Sequence, residues 1–166
     1  MAAISKNTIS LKTADGDIHE VSPMIAKQMQ IVQSFIEEES FETSTVIPLP
    51  NVKSVELSKI IEYLNYHQLI EEDSTYSAPD DAKKRFNARF VKELSGCEMI
   101  QLILAANYLD VKDLLEFMCQ AVANLIKNKS VEFVRKFFGV VNDFTPEEEE
   151  KIRKENQWAF ENIDKD

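Results

Sequence analysis

Four side chains in this sequence have the chemistry for a metal site, or for a nucleophile with its base: His19, His67, Cys97 and Cys119. Zinc ligation and thiol catalysis both require groups that converge on one point, and close spacings such as Cys-x-x-Cys or His-x-x-x-His bring them there. None of the four has a neighbour at such a spacing. Each reads as isolated: a strand-face histidine, a histidine near a helix end, and two thiols in or beside apolar helical runs. The other concentration of reactive groups is Glu147, Glu148, Glu149 and Glu150. They follow Thr145 and Pro146, an N-cap residue and a first-turn proline, with Glu148 at the capping-box position. Carboxylates there face the positive end of the helix dipole and stay ionised, so they stabilise a helix start rather than form an acid–base pair. Three glycines in all leave no phosphate-cradling loop. No catalytic residue, metal or cofactor is expected.

Without chemistry to position, the elements themselves carry the reading. The chain has 166 residues, 44% of them hydrophobic, and a formal charge of −10. That suits one domain of ordinary size with a small appendage. The negative charge disfavours nucleic acid and anionic membrane and favours an apolar or basic partner surface. No apolar run reaches the length of a membrane span, and the first residues lack the basic-then-apolar layout of a signal peptide. Isolated cysteines suit reduced thiols, and a cytoplasmic and nuclear location is expected.

Residues 8–13 alternate apolar and polar, which predicts a half-buried strand. Asp15-Gly16 is a two-residue hairpin signal, and Ile18 to Val21 supplies the return strand. Ser22-Pro23 opens a helix in which Ile25, Met29, Val32 and Ile36 fall at helical spacing. Val46-Ile47-Pro48-Leu49-Pro50 predicts a short strand whose prolines confine it to an edge or a terminus. A helix then buries Val55, Leu57, Ile60, Ile61 and Leu64. Residues 68–85, rich in mixed charge, predict a long mobile loop. Met99, Leu102, Ile103 and Ala106 mark one helix, and Val111, Leu114, Leu115, Met118, Val122, Leu125 and Ile126 a second, with Asn107 and Tyr108 at the corner. Ser130 caps a further helix that Gly139 ends, and the capped helix after Thr145 comes last. Strands among the early helices, then helices only, describe an α+β domain with a helical extension.

Two regions suggest interfaces. Asn107 and Tyr108 close a helix, where tyrosine is a frequent anchor. Phe137, Phe138, Val140, Val141 and Phe144 form a denser apolar run than a terminal segment needs, while the last helix has little apolar surface beyond Ile152 and Trp158 to cover it. Such a run marks a partner site, and mobility of this part in the free protein is expected.

The segment Leu104-Ala105-Ala106-Asn107-Tyr108-Leu109-Asp110 resembles the signature of the S-phase kinase-associated adaptor family, the linker subunits of SCF (Skp–cullin–F-box) ubiquitin ligases. Pro48-Leu49-Pro50-Asn51-Val52, Val122-Ala123-Asn124-Leu125-Ile126-Lys127 and the tract over residues 142–158 match the same family, so the resemblance spans essentially the whole chain. It implies a BTB/POZ-type domain over residues 1–127, a short three-stranded sheet packed with helices, followed by C-terminal helices over 128–166. It further implies a non-catalytic adaptor for ubiquitin-dependent degradation with two partners. The N-terminal region of a cullin would bind Asn107 and Tyr108 with Pro48 and Asn51. F-box proteins would bind Val122, Leu125, Ile126, Phe138, Val140, Asn142, Phe144, Ile152 and Trp158. The alternative is a structural or assembly protein of this fold that self-associates as a homodimer or oligomer, or binds F-box proteins outside a ligase. Divergence from the family lies in Phe86-Asn87-Ala88-Arg89-Phe90-Val91, where Phe86 replaces a tryptophan, in Ser130-Val131-Glu132-Phe133, and in Met118 beside Cys119.

Overall fold

The computed structural model describes residues 8–38, 45–72, 78–161 and 163–164. Strand β1 (Ile9–Thr13) pairs antiparallel with β2 (Ile18–Val21), Leu11 facing His19. Residues 14–17 connect them, longer than the two-residue loop that Asp15-Gly16 suggests, with Gly16 at φ 94°. The loop closes through Thr13 N–H to Asp17 carbonyl at 2.9 Å. The physical reason for the wider turn is the use made of Asp15. Its carboxylate accepts from the Ser54 backbone N–H at 3.0 and 3.2 Å, so a hairpin residue caps a helix 39 positions later. That bond and one from Thr13 hold the Asp15 carboxyl below the usual carboxylate range.

Helices α1 (Pro23–Ala26) and α2 (Gln30–Ile36) replace the single helix expected there. Met29 stands between them in extended backbone and is fully buried, so its packing outweighs the continuity of one helical run. Strand β3 (Val46–Leu49) then pairs parallel with β1, Lys12 facing Pro48, giving the order β2-β1-β3. Pro48 is therefore on an edge strand, where its missing N–H costs least. Ile9, Leu11, Val21, Ile47 and Leu49 are buried.

Helix α3 (Ser54–Glu72) buries Leu57, Ile60, Tyr63, Leu64 and Ile70. Val55 is 63% exposed, contrary to its expected place in the core. At 3.6 residues per turn it lies across the helix from Leu57, Ile60 and Leu64. Residues 68–72 continue this helix and α4 (Pro79–Lys92) begins soon after, so most of the segment expected as a loop is helical; residues 73–77 lie outside the described residues. The reason is a stripe hidden among charges. Ala82, Phe86 and Phe90 recur every four residues and are buried, Asp80 and Asp81 sit in the first turn, and Arg89 and Lys92 in the last. Phe86 stacks on Tyr66 at 4.0 Å and tilts against Tyr63 at 6.3 Å, which packs α4 onto α3.

Helix α5 (Gly96–Leu109) starts in a capping box between Ser95 and Glu98 and ends at Asp110, in left-handed backbone at φ 52°. Its buried residues are Met99, Leu102, Ala105, Ala106 and Leu109. Helices α6 (Lys112–Ile126), α7 (Val131–Phe138) and α8 (Pro146–Glu155) follow, then a 3₁₀ turn, Gln157–Phe160. The chain divides into two compact units inside α6, one up to Met118 and one from Cys119. Among the described residues no helix is long and apolar enough to cross a membrane, and no group of His, Cys, Asp and Glu could hold a metal ion.

Candidate protein-docking surfaces

The second unit is ordered by caps and charges. The Ser130 hydroxyl accepts from Phe133 N–H at 3.0 Å to start α7. Gly139, in left-handed backbone at φ 65°, ends it, and Val140 N–H reaches back to Arg135 carbonyl at 2.8 Å, the bond of a Schellman motif. Asn142 Oδ1 accepts from Phe144 N–H at 3.2 Å, which turns the chain toward α8. There Thr145 and Glu148 exchange the bonds of a capping box, as their spacing predicts, and the Glu148 carboxyl is held below its ordinary range by the Thr145 N–H. The helix ends at Glu155, so Trp158 belongs to the 3₁₀ turn rather than to α8.

Glu149 ties α8 to α7. Its carboxylate accepts from Arg135 at 3.3 Å, from Asn142 at 3.3 Å and from Arg153 at 3.5 Å, and Arg153 also pairs with Glu132. The Arg135 guanidinium is the main reason the Glu149 carboxyl lies below the usual carboxylate range. Arg135 also stands over the Phe144 ring at 5.8 Å, and Arg153 over Phe160 at 4.9 Å. Charge thus does the fastening, and neither α7 nor α8 contains a buried residue.

What this leaves bare is apolar. Val141 is 83% exposed, Trp158 74% and Val140 58%, and Phe138, Phe144, Ile152 and Leu125 are also exposed. Eight of the fifteen exposed large apolar side chains among the described residues lie beyond Cys119, although that unit is much the shorter. Of the residues expected to meet an F-box, Asn142 is exposed, Ile126 is half-buried and Val122 is buried at 6% exposure, so Val122 offers a partner little surface in this state. Sequence reasoning missed Val131 and Phe160. With Arg135, Phe144 and Ile152 they line a groove of about 170 Å³. Phe160 lies just past the matching tract, and its pairing with Arg153 is the signal that could have found it.

In the first unit, Asn107 and Tyr108 occupy the last turn of α5, one exposed and one half-buried. No side-chain hydrogen bond, ion pair or ring contact engages either among the described residues. Asn107 does not cap its helix; Asp110 supplies the left-handed cap residue. Leu104, 56% exposed one turn earlier, shares their face and was missed, because it reads as one more apolar residue of an amphipathic helix. Pro48 and Asn51 are exposed on a different element, β3 and the turn after it. The four candidate reactive groups stay apart. His19 Nε2 bonds Ser54 Oγ at 2.8 Å, His67 Nε2 bonds Asn87 Oδ1 at 3.0 Å, and both cysteines are free and exposed.

Two family models match the chain: the Skp1 family tetramerisation domain over residues 7–69 and the Skp1 family dimerisation domain over residues 112–159. Residues 104–110 fall between the two. SKP1-like protein 20 of Oryza sativa subsp. japonica is 42% identical over 174 residues, covering 96% of this chain and 98% of that protein. SKP1-like protein 1A of Arabidopsis thaliana is 42% identical over 163 residues, covering 95% and 100%. The S-phase kinase-associated protein 1 homolog of Tetrahymena thermophila is 41% identical over 158 residues, covering 92% and 94%.

Proposed function

The chain belongs to the Skp1 family, and from that we propose that it is a non-catalytic adaptor joining F-box substrate receptors to a cullin scaffold in an SCF ubiquitin ligase. The observation that carries this reading is the capped, charge-fastened second unit with its bare apolar surface. A helical F-box segment would lie against Phe138, Val140, Phe144 and Ile152, with Trp158 closing over it, and the receptor-binding part begins near residue 128. The N-terminal region of a cullin would meet Asn107 and Tyr108, with Leu104 beside them and Pro48 and Asn51 nearby. No side chain does chemistry. Holding the receptor's substrate near a ubiquitin-charged enzyme raises effective concentration and fixes geometry. The protein works in the cytoplasm and nucleus on this reading.

Self-association is the second reading, favoured by the same exposed apolar surface and by the dimerisation and tetramerisation descriptors of the matching models. Co-expression with an F-box protein and a cullin N-terminal region, followed by size-exclusion chromatography with light scattering, separates the two. A ternary complex of equal stoichiometry is expected; a concentration-dependent oligomer that ignores the cullin would favour self-association. Asn107→Lys with Tyr108→Lys should remove the cullin from that complex and leave the F-box protein, and an unchanged ternary peak would overturn the site assignment.

A further inference from the structure

The first unit contains a polar cavity of about 320 Å³ that no adaptor role uses, and Tyr63 and His67 are part of its wall. Tyr63 is 3% exposed, its ring held by His67 at 4.1 Å, Phe90 at 5.9 Å and Phe117 at 6.0 Å. Yet its hydroxyl has no hydrogen-bond partner among the described residues. A nearly buried hydroxyl left unpaired at a cavity wall is a vacancy for a ligand atom. His67 supplies a second acceptor, because Nε2 donating to Asn87 Oδ1 leaves Nδ1 with its lone pair free.

Charge decides the sign of the occupant. On the rim, Lys83 is neutralised by Glu71 at 2.6 Å. Asp110, Asp113 and Lys112 have no ion pair among the described residues, so two carboxylates stand against one ammonium. Burial, and then the Asp113 charge, push the Tyr63 phenol up to about 12. The hydroxyl therefore stays neutral and lies within the field of Asp113. An anion bound at that hydroxyl would be repelled by Asp113, whereas a cation would satisfy both.

We infer that this cavity binds an alkylguanidinium group, whose planar N–H donors reach Tyr63 Oη, His67 Nδ1 and the Asp113 carboxylate together. Guanidinium suits a wall of several acceptors better than an ammonium, whose donors radiate from one point. The inference is independent of the F-box and cullin assignments.

Titrating the full chain with N-methylguanidinium at low salt, followed by amide chemical shifts, tests it. Shifts centred on Tyr63, His67 and Asp113 are expected, with a dissociation constant of about 1 mM, as for a small single-charge fragment. Tyr63→Phe keeps the packed ring and should weaken binding about threefold, and Asp113→Asn, at an exposed position, about tenfold. Agmatine and a blocked arginine tripeptide form the second arm: tighter tripeptide binding assigns the cation to a partner's side chain, tighter agmatine binding to a free small molecule. Absent shifts, binding indifferent to both substitutions, or a preference for inorganic phosphate that depends on Lys112 would each overturn the inference.

Discussion

The two units of this chain hold their shape in opposite ways. Up to Met118, apolar burial dominates: Leu11, Leu57, Ile60, Leu102 and Phe90 are among side chains with essentially no exposed surface. Beyond Cys119, Val122 is the only hydrophobic residue buried among those described, and order comes from caps at Ser130, Gly139 and Thr145 and from the carboxylate of Glu149. Surface ion pairs and caps contribute about 1 kcal/mol or less each, whereas a buried large side chain contributes about 1.5–3 kcal/mol. The first unit is thus built to persist alone. The second is built to be completed, with its apolar surface left for a partner to bury.

The largest effect that could break this contrast is on folding. Leu57→Ala or Phe90→Ala should lower the stability of the whole chain by about 3–5 kcal/mol in urea titrations, because each leaves a cavity in a closed core. A loss below about 1 kcal/mol would mean the first unit is not the dominant core. Next in size is binding. Trp158→Ala should cost about 2–4 kcal/mol of F-box affinity by calorimetry, as for a central aromatic anchor. The same change should move the stability of the free protein by no more than about 0.5 kcal/mol. If stability falls as far as affinity does, the tryptophan belongs to the fold rather than to an interface.

Amide exchange sharpens the contrast within one molecule. In the free protein, amides of α7 and α8 should exchange at least about tenfold faster than those in the middle of α3 and α5. An F-box segment should slow them. Equal protection in all four helices without a partner would sink the distinction. The smallest expected effect is on acid response. Glu148 and Glu149 have depressed pKa values, so their stabilisation is present above the ordinary carboxylate range and is lost as pH falls through their lowered values. Asp15 and Glu98 follow the same sign in the first unit, but there the apolar core remains. Trp158, the only tryptophan, should report loosening of the second unit by fluorescence at a higher pH than loss of secondary structure overall. Coincident transitions would show that Glu149 does not fasten α8.

Much of this contrast is legible in the residue order. Thr145-Pro146 with Glu148, and Ser130 with Gly139, announce their caps because capping is local and depends on residues a few positions apart. Phe138, Val140 and Phe144 read as surplus because nothing amphipathic follows to cover them. Other features depend on what packs where. Phe86 and Phe90 are outnumbered by charges in their own segment, and only Tyr63 and Tyr66 on α3 make them a buried stripe. Val55 looks as apolar as Leu57, and only the side of α3 that meets α5 and α4 separates them. Asp15 marks a turn in the sequence, but its second role as cap of α3 needs the tertiary fold.

The pairing of β1 sets a timetable for the nascent chain. β2 can join it as soon as the hairpin emerges, but its other edge waits for residues 46–49, which must arrive parallel after a crossover through α1 and α2. The bond from Ser54 to Asp15 then latches the same juncture across 39 positions. Long-range contacts of this kind form late and slow the search. During synthesis the free edge of β1 is therefore the segment most open to mispairing, and the arrival of Val46 to Ser54 ends that exposure.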